Sequence, residues 1–117
     1  MRHFLMALAL TAGASLLPLI DPAAADAGKP RSYQIVIEKF AFSPARLTVK
    51  PGDTIEWINR DLAPHTATAK DASFDTLRLK RNETMRAVAG SPGVVDYICT
   101  YHPNMKGVIV IVDGPAL

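Results

Sequence analysis

Cysteine is almost missing from this chain, with one residue, Cys99, among 117. A lone cysteine cannot close an internal disulfide, which leaves it to pair between chains, to react, or to bind a metal. Charge is also scarce and scattered. Asp, Glu, Lys and Arg make up 21% of the residues, and the cations at Lys29, Arg31, Lys39, Arg46 and Lys50 form no cluster, which speaks against nucleic-acid binding. There is no internal repeat, no low-complexity tract and no convincing helical period. No Ser/His/Asp set or carboxylate pair stands out, so the chain reads as a non-enzyme. A 49% hydrophobic fraction at this length makes one small globular domain with one core.

Met1-Arg-His opens the sequence, Phe4 to Ile20 is apolar apart from interruptions at Thr11, Ser15 and Pro18, and small residues follow through Ala27. Residues 1–27 therefore read as a secretory signal peptide. Ala25-Asp-Ala27 supplies the small-x-small cleavage pattern, with Gly28 as the new terminus and cleavage after Ala25 as the alternative. The apolar run is shorter than the roughly 20 residues of a membrane span. The expected product is a periplasmic monomer, residues 28–117, carrying 12 basic and 9 acidic side chains and a net charge of +3.

From Ser32 onward, short β-branched and aromatic runs alternate with Gly/Pro turns. Tyr33–Phe40, Leu47–Val49, Thr54–Ile58, His65–Ala69, Thr76–Leu79, Glu83–Val88, Val94–Cys99 and Lys106–Val112 read as strands, with Phe42-Ser-Pro44 ending the first and Pro51-Gly-Asp53 turning the chain. Period-two geometry puts Ile55 and Trp57 on one face, and Val95, Tyr97 and Cys99 on another. The expected fold is all-β, an antiparallel Greek-key β-sandwich of seven to eight strands.

The chemistry gathers in Cys99-Thr-Tyr-His102-Pro-Asn-Met105. A thiolate, an imidazole and a thioether within seven residues suit copper, and a trigonal His₂Cys site with a weak axial Met is the blue-copper arrangement. The second imidazole must come from elsewhere. His3 falls in the leader, so His65 is the candidate. A zinc site fits less well, since thioether is a poor ligand for zinc. Four protein ligands also leave no open position for a substrate.

Cys99-x-x-His102-x-x-Met105, taken with His65 in Asn59-Arg-Asp-Leu-Ala-Pro-His65, resembles the type 1 copper proteins called cupredoxins, and within them the amicyanin-like group. The resemblance runs from about Ser32 to Val112. It implies a sandwich that shuttles single electrons through one copper ion, with Cys99 as the strong ligand, His65 and His102 as equatorial nitrogens and Met105 as the axial sulfur. It also implies an apolar patch around His102 where electrons leave, to which Pro64, Pro103 and Met105 contribute, with Lys106 placed to steer an anionic partner. A c-type cytochrome or a periplasmic amine dehydrogenase are the implied redox partners. The competing function is a copper carrier or buffer that hands on the ion itself. Two positions depart from the family pattern: Thr66 stands where relatives usually carry Asn, and Tyr101 where Pro is common.

Overall fold

A computed structural model describes residues 11–19 and 28–114. The expected cleavage site at Ala25–Ala27, and His3, lie outside the described residues. Residues 11–19 are exposed and carry no regular secondary structure. Among the described residues no helix is long and apolar enough to cross a membrane.

Eight strands follow: β1 (Ser32–Glu38), β2 (Ala41–Ser43), β3 (Arg46–Val49), β4 (Thr54–Asn59), β5 (Thr68–Ala69), β6 (Thr84–Val88), β7 (Gly93–Ile98) and β8 (Lys106–Ile111). They form two four-stranded sheets, in the orders β2-β1-β4-β6 and β3-β8-β7-β5. This is the all-β sandwich that the turn spacing predicts. The sheets are mixed, not wholly antiparallel, because β1 runs parallel to β4 and β3 parallel to β8. The chain reverses after β1, crosses to the other sheet as β3 and turns again, so β4 returns beside β1 in the same direction. Pro51 and Gly52 make that second turn. Gly52 has φ +89°, and Asp53 N–H donates to Lys50 O at 3.1 Å, as a Pro-Gly type II turn requires.

Alternation builds the core. Ile35 and Ile37 of β1, Ile55 and Trp57 of β4, Val95 and Tyr97 of β7, and Ile109 and Ile111 of β8 all point inward and are buried. Each fully buried side chain of this size contributes about 1.5–3 kcal/mol. Trp57 sits at the centre, edge-on to Tyr97 and 4.7 Å from the ring centre of Phe74.

Three segments differ from the expected strands. Ala41–Ser43 does not merely end β1 but pairs back on it as a hairpin. The His65 run yields only the two-residue β5, with His65 held by an isolated bridge to Leu79. Thr76–Leu79 is no strand, since Leu77 adopts φ +58° and its N–H turns to the Asp75 carboxylate, which breaks the pleat. The fold thus brings the β1–β2 turn, the β4–β5 loop and the β7–β8 loop together at one end.

Candidate metal centre

Cys99 follows β7 directly and keeps that strand's inward phase, so it is fully buried. The loop it opens is closed on itself. Cys99 N–H donates to Met105 O (3.1 Å), His102 N–H to Cys99 O (3.2 Å) and Met105 N–H to His102 O (2.8 Å). Met105 is buried in the same apolar cluster as Cys99, and His102 is half-buried. The loop ends continue into the paired strands β7 and β8, so its span is fixed by the sheet.

His65 arrives from the β4–β5 loop and is fully buried. Its backbone exchanges two hydrogen bonds with Leu79, at 3.1 and 2.8 Å. Asn59, also buried, donates through Nδ2 to Ala63 O and Leu79 O, both at 2.9 Å, which shapes the approach to the histidine. The His65 Nε2 lies 2.7 Å from Asp61 Oδ2. A carboxylate accepts, so Nε2 carries the proton and Nδ1 keeps its lone pair. Nδ1 faces Cys99 Sγ at 3.7 Å, and His102 Nδ1 faces the same sulfur at 3.8 Å. The three ligand atoms all lie within 4.8 Å of one another.

Asp61 ties this arrangement to a third segment. It accepts the N–H groups of Lys39 (2.8 Å) and Phe40 (2.9 Å), the two residues of the β1–β2 turn. Both have left-handed backbones, φ +54° and +56°, a conformation that costs a non-glycine residue about 1–2 kcal/mol. Burial works against the charge on Asp61, yet the donors at Phe40, His65 and Lys39 outweigh it and hold the carboxyl below its ordinary range. The turn lays the Phe40 ring edge-on against both imidazoles, with ring centres 5.1 Å from His65 and 5.0 Å from His102.

The sequence model of the cupredoxin-like domain family matches residues 4–111. The chain belongs to the cupredoxin-like family. Amicyanin-alpha of Methylorubrum extorquens is 32% identical to this cupredoxin over 85 residues, 68% of this chain and 71% of the relative. Amicyanin of Paracoccus denitrificans is 30% identical over 100 residues, 81% of this chain and 76% of the relative. Plastocyanin of Nostoc punctiforme is 36% identical over 89 residues, covering 61% and 64% respectively. Among solved structures, the Cu(I) form of an amicyanin variant superposes with a TM-score of 0.65 at 31% identity, covering 69% of this chain and 82% of the other.

In this cupredoxin, then, the structure brings together His65, Cys99 and His102, with Met105 buried at the loop's end. Two further residues escaped sequence reading. Asp61 is signalled only by its i, i+4 spacing to His65. Phe40 has no local signal, because its turn reaches the site through the fold. The Thr66 departure is also accounted for: its Oγ1 accepts Thr100 N–H at 2.9 Å, which joins the segments that carry His65 and Cys99. Thr66 N–H points at Cys99 Sγ from 3.4 Å.

Proposed function

We propose that this chain is a small periplasmic type 1 copper protein that passes single electrons between redox partners, holding one copper ion through His65, Cys99, His102 and Met105. The observation that carries this reading is the spacing of the donors. For a first-row metal with metal–nitrogen near 2.0 Å and metal–sulfur near 2.3 Å, ligands about 120° apart lie roughly 3.7 Å from each other. The two nitrogen–sulfur distances are 3.7 and 3.8 Å. A soft thiolate with two imidazoles and a thioether close by is the donor set that selects copper of the blue type. Bound copper supplies a one-electron couple between Cu(II) and Cu(I).

The protein's part is to keep the donors still. Cys99 is fixed by strand pairing and loop closure, and His65 by Asp61, Asn59 and Leu79. Donors that cannot rearrange keep the geometry the same in both oxidation states. His65 is fully buried whereas His102 is partly open, so His102 is the route by which an electron leaves. Phe40, 52% exposed, packs against His102 and lines one cleft with Leu62, 83% exposed. That cleft of about 470 Å³ is also lined by Lys39, Arg60 and Arg81 as well as Glu38 and Asp61. Lys39, Arg60 and Arg81 are exposed and outnumber the two carboxylates, so the cleft is net positive and favours an acidic partner. Such a partner is a c-type cytochrome or a periplasmic dehydrogenase. Residues 1–27 serve as the cleaved export signal, and the mature chain acts as a monomer.

Cyclic voltammetry of the copper-loaded protein, with metal content measured before and after, tests this. Rapid reversible reduction with copper retained through many cycles is expected. Loss of the ion on each reduction would indicate an ion carrier instead.

A further inference from the structure

Thr66 begins a line of hydroxyls that leaves the metal centre and reaches the surface. Its Oγ1 lies 3.1 Å from Thr100 Oγ1 and 3.0 Å from Thr68 Oγ1. Thr68 Oγ1 lies 3.0 Å from Asp75 Oδ1, which also accepts Leu77 N–H at 2.8 Å. Thr66 is buried and Asp75 is exposed.

Counting protons fixes the direction of this line. A hydroxyl has one proton to give and two acceptor sites, and an ionised carboxylate gives none. Thr68 must therefore donate to Asp75. The angles at the Thr68–Thr66 contact also suit Thr68 as donor, but its single proton is committed to the carboxylate, so the proton there comes from Thr66, and the one between Thr66 and Thr100 from the Thr100 hydroxyl. Thr66 Oγ1 ends up saturated, with its two acceptor sites taken by the N–H and O–H of Thr100. Bonds aligned head to tail polarise one another and strengthen.

We propose that Asp75 is a positioning residue for the metal centre, orienting the chain Thr100 to Thr66 to Thr68 to Asp75 and so clamping together the residues that follow His65 and Cys99. The clamp matters at the sulfur because the same Thr66 directs its N–H at Cys99 Sγ. A donor held on a thiolate withdraws charge from it, and such outer contacts tune the metal. Copper(I) leaves more charge on the sulfur than copper(II), so a firm clamp favours the reduced form and a slack one disfavours it. The reduction-potential consequence rests on the copper reading given above, while the clamp itself does not.

Three variants separate the clamp from simple charge. Thr68→Val breaks the line but keeps the carboxylate. Asp75→Asn removes the charge but keeps an oxygen that can accept from both Thr68 and Leu77. Asp75→Ala removes both. Backbone pairing of Thr68 with Asp75, and of Ala67 with Thr76, is available to all three. In the metal-free protein, NMR should show the Thr100 amide exchanging with solvent about three- to tenfold faster in Thr68→Val and Asp75→Ala, the loss of one hydrogen bond, and within twofold of wild type in Asp75→Asn. In the copper-loaded protein, Thr68→Val should lower the reduction potential. Asp75→Asn should raise it by an amount that fades with salt, and Asp75→Ala should lie below Asp75→Asn. Unchanged Thr100 exchange in Thr68→Val overturns the clamp. Normal clamp behaviour with equal potentials for the two Asp75 variants overturns its link to the metal.

Discussion

Replacing Asp61 by Ala removes the side chain that joins the β1–β2 turn to the β4–β5 loop at the metal end. The largest cost falls on His65, whose Nε2–H is fully buried and loses its 2.7 Å partner. A buried donor left unpaired costs about 1–3 kcal/mol. Lys39 and Phe40 are exposed, so water replaces the carboxylate at their N–H groups, and each lost bond costs about 0.5–1.5 kcal/mol at most. The total comes to about 2–6 kcal/mol, against the 5–15 kcal/mol typical of a domain, so the urea midpoint should fall clearly. Asp61→Asn keeps one acceptor oxygen, enough for Phe40 and His65 but not Lys39, and should lose less. The pH dependence has a definite sign. The folded carboxyl lies below its ordinary range, so its contribution is present above the unfolded value and disappears as pH falls through the folded one. The gap between wild type and Asp61→Ala should therefore narrow in acid. Urea unfolding of the metal-free proteins measures all of this. An Asp61→Ala variant within about 0.5 kcal/mol of wild type at neutral pH would mean that the buried imidazole does not need its partner.

Other consequences follow from the core and the surface. Gly107 lies directly opposite Tyr97 in the β7–β8 ladder, and a Cβ at Gly107 would run into the Tyr97 ring, so Gly107→Ala should cost about 1–3 kcal/mol by overpacking, read from thermal unfolding. Burial pushes the Tyr97 hydroxyl up to about 12, with the Trp57 indole offsetting a little of that. The unfolded chain ionises near 10 while the folded one stays protonated, so stability should fall by about 1.4 kcal/mol per unit from there to about 12. Tyr97→Phe should flatten that alkaline limb. Because the Tyr97 oxygen is buried with no well-formed hydrogen bond, Tyr97→Phe should leave neutral-pH stability equal or slightly higher. Arg60→Ala with Arg81→Ala should slow stopped-flow electron transfer to an acidic c-type cytochrome and weaken its salt dependence, while leaving transfer to a basic one unslowed.

Much of this architecture was legible in the sequence because its signals are local. Alternation in Val94–Cys99 and Thr54–Ile58 puts Tyr97, Cys99 and Trp57 inside, and the Cys99–Met105 spacing marks the loop. The parallel pairing of β1 with β4 was not legible, since strand direction within a sheet depends on how the chain crosses between layers. Thr76–Leu79 misled for a physical reason. Its composition suits a strand, but the side chains of Thr76 and Asp75 capture the Leu77 carbonyl and N–H instead. The supporting residues were the least readable part. Phe40 acts through contacts more than 20 positions away along the chain, which no periodicity records, and Asp61 is marked only by its four-residue spacing to His65.

Cys99, His65, His102 and Met105 are proposed to hold one copper ion together. Adding copper(II) to purified residues 28–117 and recording the visible spectrum tests it most directly. An intense blue colour at one copper per chain is expected, abolished in Cys99→Ala and altered in Met105→Ala. A colourless cupric protein, or the same colour from Cys99→Ala, would contradict it.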